Sequence, residues 1–210
     1  MKSMYYHPQK VSTRTMFTLA VVSVMVIAAV EFTPQPASVV RHDQMTRAAS
    51  AAEAGFDAIR KRRVESGIRM LRIHDPAATG MLGPSMSLVT SLPGHLDAKQ
   101  TSVNPNFAAV AVRYLLAAGS QPGDEVAIGC TGSFPALNIA VVTAAEAMGL
   151  KPSLVSSAAS SQFGANHPQL MWPDMERILL EQGIIQTRSL AVSRGGFRDM
   201  AVGMTDDSRR

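Results

Sequence analysis

Apolar positions fall into two regimes along this chain: one unbroken run near the start, and periodic, interrupted patterns afterwards. The run from Met16 to Val30 (MFTLAVVSVMVIAAV) has only Thr18 and Ser23 as polar members, and Lys10 and Arg14 precede it. A membrane span takes about 20 residues, a length reached when Val11 to Thr15 and Phe32 are included. The pattern predicts a cytoplasmic basic tail over 1–15 and a transmembrane signal anchor over 16–32. Tyr5 and Tyr6 stand where an interfacial anchor would lie. A cleaved signal peptide shares the charged flank and apolar core. Ala-x-Ala is absent after the run, however, and the pairs Val26/Ala28 and Ile27/Ala29 are weaker cleavage signals. Under either reading the basic flank stays inside and the rest is exported; the uncleaved anchor places a single-pass protein at the cell membrane.

Beyond this run the apolar spacing changes. Residues 33–73 read as a Pro-containing spacer, Thr33 to Val40, and an amphipathic helix. From Gln44 to Arg63, Met45, Ala48, Ala49, Ala52, Phe56 and Ile59 recur at helical intervals. This helix is expected to stand the domain off the membrane or pack on its outside. Residues 74–106 hold Pro76, Gly80, Gly83, Pro84, Pro93, Gly94 and Pro105, and read as a loop region. At its end Asn104 is placed as an N-cap, with Pro105 at the first helical position.

From 107 onward the alternation is regular. A helix carries Phe107, Val110, Ala111, Tyr114, Leu115 and Ala118 on one side and stops at Gly119. A strand follows over Val126–Gly129, then a helix over Pro135–Met148 closed by Gly149. The next elements are a strand over Ser153–Ser156, a helix over Trp172–Gln182 closed by Gly183, and a strand over Ser189–Ser193. Helices alternating with strands imply βαβ units and a parallel sheet. The expected fold class is α/β: an N-terminal transmembrane helix followed by a small Rossmann-like domain over 107–210, with a parallel sheet and flanking helices. Three strands leave exposed edges. An extra strand from the loop region, a covering partner, or a longer chain would resolve this.

Composition narrows the function classes. With 210 residues, 46% of them hydrophobic, the chain can hold one membrane segment and a small domain with a core. Cys130 is the single cysteine, so no intrachain disulfide forms, and five scattered histidines offer no zinc-ligand spacing. The net charge is +4, and setting aside Lys2, Lys10, Arg14 and Glu31 leaves an excess of two. Four basic residues form one run, Arg60-Lys61-Arg62-Arg63, read as a solvated helix end. Nucleic-acid binding, which spreads basic residues over a face, is not indicated.

Candidate chemistry gathers at the strand ends. Cys130-Thr131-Gly132-Ser133, Ser156 to Gln162, and Arg194-Gly195-Gly196 would share one edge of a parallel sheet, where α/β proteins bind ligands. Thr131, Gly132, Ser133, Ser161, Asn166, Arg194 and Gly195 are the candidate ligand contacts. No catalytic motif is complete. Thr131-Gly132-Ser133-Phe134-Pro135 lacks the Gly-x-Ser-x-Gly pattern, and His167 reads as a turn residue. Cys130 reads as a buried strand-end residue, although a thiolate near a helix start is reactive. No phosphate loop or dinucleotide fingerprint occurs, so no cofactor and no metal are indicated.

Four segments carry a resemblance: KQTSVNPNFAAVAV (Lys99–Val112), GCTGSFPALNIAV (Gly129–Val141), SSQFGANHPQLMWPDME (Ser160–Glu176) and SRGGFRDMAVGM (Ser193–Met204). Together with the anchor and the Leu82–Thr90 loop, they resemble the poly-gamma-glutamate system protein family. Its members accompany bacterial capsule-type poly-gamma-glutamate synthesis and export. The resemblance covers roughly Met1 to Met204 and implies no catalytic residue. Family members extend past Arg210, so it implies a truncated α/β domain. It implies an accessory protein on the bacterial cell surface that binds polymer, substrate or a synthase or export subunit. The alternative is an exported amide hydrolase or transferase acting on the polymer, with Ser133 or Cys130 as nucleophile. A third reading is a structural partner whose sheet edge docks on a synthase subunit.

Overall fold

The computed structural model of the protein describes residues 12–32 and 41–209. Lys2, Lys10, Tyr5, Tyr6 and the Thr33–Val40 spacer lie outside the described residues. The chain divides into two units, the first ending at Val40 and the second starting at Arg41.

The first unit contains helix α1 (Thr13–Phe32). Its 20 residues span about 30 Å at 1.5 Å per residue, close to the hydrocarbon thickness of a bilayer. The window Thr13–Val30 has a mean hydropathy of 1.9, and none of it is buried. The helix is long and apolar enough to cross a membrane, and it begins slightly before the expected span, with Arg14 in its first turn.

The second unit is a mixed helix and sheet structure. Its elements run α2 (His42–Glu65), β1 (Thr90–Leu92), α3 (Leu96–Ser102), α4 (Phe107–Ala117), β2 (Glu125–Thr131), α5 (Pro135–Ala147), β3 (Lys151–Ser157), β4 (Ser160–Ser161), β5 (Asn166–His167), β6 (Leu170–Met171), α6 (Trp172–Glu181) and β7 (Ser189–Ser193). β2, β3 and β7 form a parallel sheet in that order, with Gly129 opposite Val155 and Val155 opposite Ala191. Pro152 lacks the N–H of a central strand residue, but β7 pairs with β3 only from Leu154 onward.

Strand alternation divides the two faces. Ile128, Cys130, Leu154 and Ser156 point into the core, whereas Ala127, Gly129, Val155 and Ala191 are exposed. The strand order never reverses. Right-handed crossovers through α5 and α6 therefore leave both helices on one face. α2 and α4 pack on α5, and α2 also reaches α6, so all four belong to one cluster. The parallel sheet with packed helices is the part of the expected fold that the structure shows. Among the described residues α2, α4, α5 and α6 gather on one face, and the three-strand order has no reversal.

Of the two readings of α2, the structure has the packed one: it lies on α4, α5 and α6 and buries Ala48, Ala52, Gly55, Phe56, Ile59 and Arg63 in the shared core. Arg63 is 1% exposed, so the basic run is not wholly solvated. Burial lowers its pKa to about 10, and nearby Asp75 opposes that shift. The 74–106 region is not simply a loop, because β1 and α3 lie within it. β1 pairs in parallel with β4 as a separate two-stranded sheet. Asn104 does not cap α4 directly; its Oδ1 accepts the Asn106 N–H at 3.0 Å, and the helix starts at Phe107.

A buried polar clamp joins α6 to the sheet. Trp172 Nε1 donates to Ser156 Oγ at 2.9 Å. The Glu176 carboxylate accepts the Ser189 N–H at 2.8 Å, the Ser189 hydroxyl at 2.5 Å and the Ser156 hydroxyl at 3.2 Å. Each buried donor there has an acceptor, the condition under which a polar group is tolerated in a core.

Candidate functional site

The C-terminal end of β2 turns into α5 through Gly132, Ser133 and Phe134, with Pro135 in the first helical turn. The segment from β4 to β5 folds over that turn. Gly132 O accepts the Ala165 N–H at 2.7 Å and the Ser160 hydroxyl at 2.8 Å. Ser133 Oγ accepts the Ser161 N–H at 3.1 Å. The approach requires Gly164, since a Cβ there would lie 2.4 Å from Ser160 Oγ and 2.5 Å from Gly132 O.

β1 brings a third segment to the same place. Its pairing with β4 sets Leu92 beside Ser161, and the Gln162 N–H donates to Leu92 O at 3.0 Å. The chain then turns at Gly94, whose N–H donates to Gln162 Oε1, and enters α3. The last turn of α3 delivers Lys99. Its Nζ donates to Ser133 O and lies 2.8 Å from Ser161 Oγ. The same nitrogen sits 4.1 Å from the centroid of the Phe134 ring, a cation–π contact.

Lys99 is 2% exposed and, among the described residues, forms no salt bridge. Burial alone lowers its pKa to about 8. Ser133 and Ser161 above it are both partly exposed. The result is an amine held under two reachable serines without a neutralising carboxylate.

The expected contacts separate. Ser133 and Ser161 come together. Thr131 is exposed at the end of β2, where its Oγ1 accepts the Ser133 N–H and shapes the turn. Gly132 is buried under the β4 segment and serves as a backbone acceptor. Asn166 is enclosed, not on the edge; its Nδ2 donates to Pro84 O and Thr90 Oγ1, both at 2.9 Å. Gly195 is buried at the turn after β7, with its N–H bonded to Asp199. Arg194 is exposed beyond β7, two strands or about 10 Å across the sheet from β2. Neither Arg194 nor Asn166 meets the Lys99 pair.

Cys130 does not offer a thiolate. It is 2% exposed, and burial, followed by the charge of Glu176, pushes its thiol up to about 12 against a hydrogen bond from Ser156. His167 ends strand β5 opposite Leu170, and its Nδ1 accepts the Gln169 N–H of the β5–β6 turn. Burial and the charge of Arg63 lower its pKa.

No family model, curated protein or solved structure matches this chain. The chemistry of the site therefore rests on its own atoms. Sequence reading passed over Lys99, which lies in the segment LDAKQTS with no apolar spacing to mark a helix. No local signal ties it to Ser161; the β1–β4 pairing does. A groove of about 730 Å³ lies between the start of α2 (His42, Thr46) and the end of α5 (Thr143, Ala147), away from the α5 start that bears the serines.

Proposed function

We propose that the protein is a membrane-anchored accessory factor of poly-gamma-glutamate synthesis or export. In this reading α1 is an uncleaved anchor with its N-terminus in the cytoplasm, and the α/β unit lies outside. The strand-end edge binds gamma-linked glutamate polymer as it emerges, or the synthase or export subunit that carries it.

The observation that carries this reading is the buried, unpaired Lys99 under Ser133 and Ser161. An amine without a carboxylate leaves net positive potential at a surface lined with hydroxyls, which favours an anionic chain. Exposed Arg194 supplies a second cation on the same sheet edge, suited to bidentate carboxylate binding. The segment resemblance supplies the identity of the polymer.

Calorimetric titration of the full chain in detergent micelles with gamma-linked glutamate oligomers tests the proposal. Saturable binding that weakens with added salt, and weakens again in Arg194→Ala, is expected. Absence of binding at low ionic strength would remove the polymer as ligand.

A further inference from the structure

We propose that Ser161 and Lys99 form a nucleophile–base pair for acyl transfer from an amide bond, with Ser161 Oγ attacking and Lys99 Nζ taking its proton. The site fits the chemistry in three ways. First, Nζ and Oγ are 2.8 Å apart, within the reach required of a base and the proton it removes. Second, one N–H of the amine is held by Ser133 O, and the Phe134 ring lies against the nitrogen. The amine is thereby fixed, and its neutral lone pair is free to face Ser161. Third, Ser161 is half-buried whereas Lys99 is enclosed, so the nucleophile is the member of the pair nearer solvent and its base is the one shielded from water.

The surroundings also suit a base. The facing residues from other elements, Ser133, Phe134 and Ser161, carry no charge. On its own helix the nearest titratable groups, His95 and Asp97, are exposed. With its pKa lowered to about 8, Lys99 is neutral in roughly one molecule in ten at pH 7 and in half near pH 8. Ser133, the nucleophile expected from the sequence, offers Lys99 its carbonyl, and its hydroxyl instead accepts the Ser161 N–H.

The step balances. The Oγ–C bond forms as the Oγ proton moves to neutral Nζ. The tetrahedral oxyanion collapses, the C–N bond breaks, and the Lys99 ammonium gives its proton to the departing amine. Water then attacks the ester on Ser161 and loses a proton to Nζ, which returns it to Oγ as the carboxylic acid leaves. An amine in place of water turns hydrolysis into amide exchange. Assignment of the amide as the gamma-glutamyl linkage rests on the function proposed above.

Labelling of the full chain in micelles with an alkyl fluorophosphonate, read by intact and peptide mass, tests the pair without reference to the polymer. One adduct on Ser161 is expected, forming faster as pH rises through about 8 and absent in Ser161→Ala. Lys99→Arg keeps the charge but cannot give up its proton, so labelling at least about 100-fold slower is expected there. Lys99→Met should behave alike. No wild-type adduct, an adduct on Ser133, no inflection near pH 8, or wild-type rates in Lys99→Arg would each overturn the pair. The wild-type pH profile decides the matter if the variants do not fold. The chain length of gamma-linked polyglutamate is followed in parallel. Ser161 labelling without polymer cleavage would uphold the pair and overturn the polymer as its substrate.

Discussion

Lys99 Nζ lies 2.8 Å from Ser161 Oγ although 62 positions separate the residues in the chain. The contact joins the last turn of α3 to β4 and exists only because β1 and β4 pair. The amine is carried into the fold at a cost, and that cost has a pH signature.

Lys99 titrates at about 8 in the folded protein against an ordinary 10.5. Below pH 8 it is protonated in both states, and burying the cation costs about 3 kcal/mol. Between pH 8 and 10.5 the unfolded chain binds more protons, so stability rises with pH. The difference in unfolding free energy between wild type and Lys99→Met should therefore shift toward wild type by about 3 kcal/mol from pH 7 to pH 10.5. Trp172, the single tryptophan and fully buried, reports the unfolding by fluorescence. A pH-independent difference would contradict the buried amine.

Cys130 should be inert in the native protein. A thiol pushed up to about 12 carries almost no thiolate at pH 8. Iodoacetamide is expected to leave it unmodified until denaturant is added, and to alkylate it once thereafter. Rapid native alkylation would mean the β2 end opens.

Glu176→Gln should destabilise the α/β unit by about 2–3 kcal/mol. The amide supplies one acceptor oxygen where three donors now converge, and sets an NH₂ group against the others. A lowered denaturant midpoint, read from Trp172, checks this; an unchanged midpoint would show that the clamp holds little.

Gly164→Ala should lower stability by more than about 2 kcal/mol, the range of overpacked sites. Its Cβ would meet Gly132 O at 2.5 Å and Ser133 O at 2.8 Å, both backbone atoms with little room to retreat. Thermal unfolding measures the loss, and a wild-type midpoint would mean that the two turns separate easily.

Much of the unit was legible in the sequence. Gly119, Gly149 and Gly183 end α4, α5 and α6 near the expected positions, and each has the positive φ that glycine tolerates best. β7 matches its expected range, since Ser189–Ser193 is bounded by turn residues on its C-terminal side. α3 was hidden because LDAKQTS is short and lacks an apolar stripe. The burial of Arg63 was written in the spacing: Ala48, Ala52, Phe56, Ile59 and Arg63 recur every three or four residues, but a basic run reads as solvent-facing by default. The one-sided sheet followed from the strand order, which composition does not encode. At the site, Ser133 and Ser161 were legible as strand-end residues. Lys99 was not, because two-residue β4 is too short to predict a pairing partner.

The uncovered sheet face bears on where this domain can discriminate. Ala127, Gly129, Val155 and Ala191 make its middle low and apolar, whereas Glu125 and Lys151 at one end and Thr131 and Ser157 at the other are polar. So flat a middle offers little shape for telling one molecule from another. Discrimination therefore falls to the ends of the strands, where the chain reverses direction and side chains of different lengths stand together.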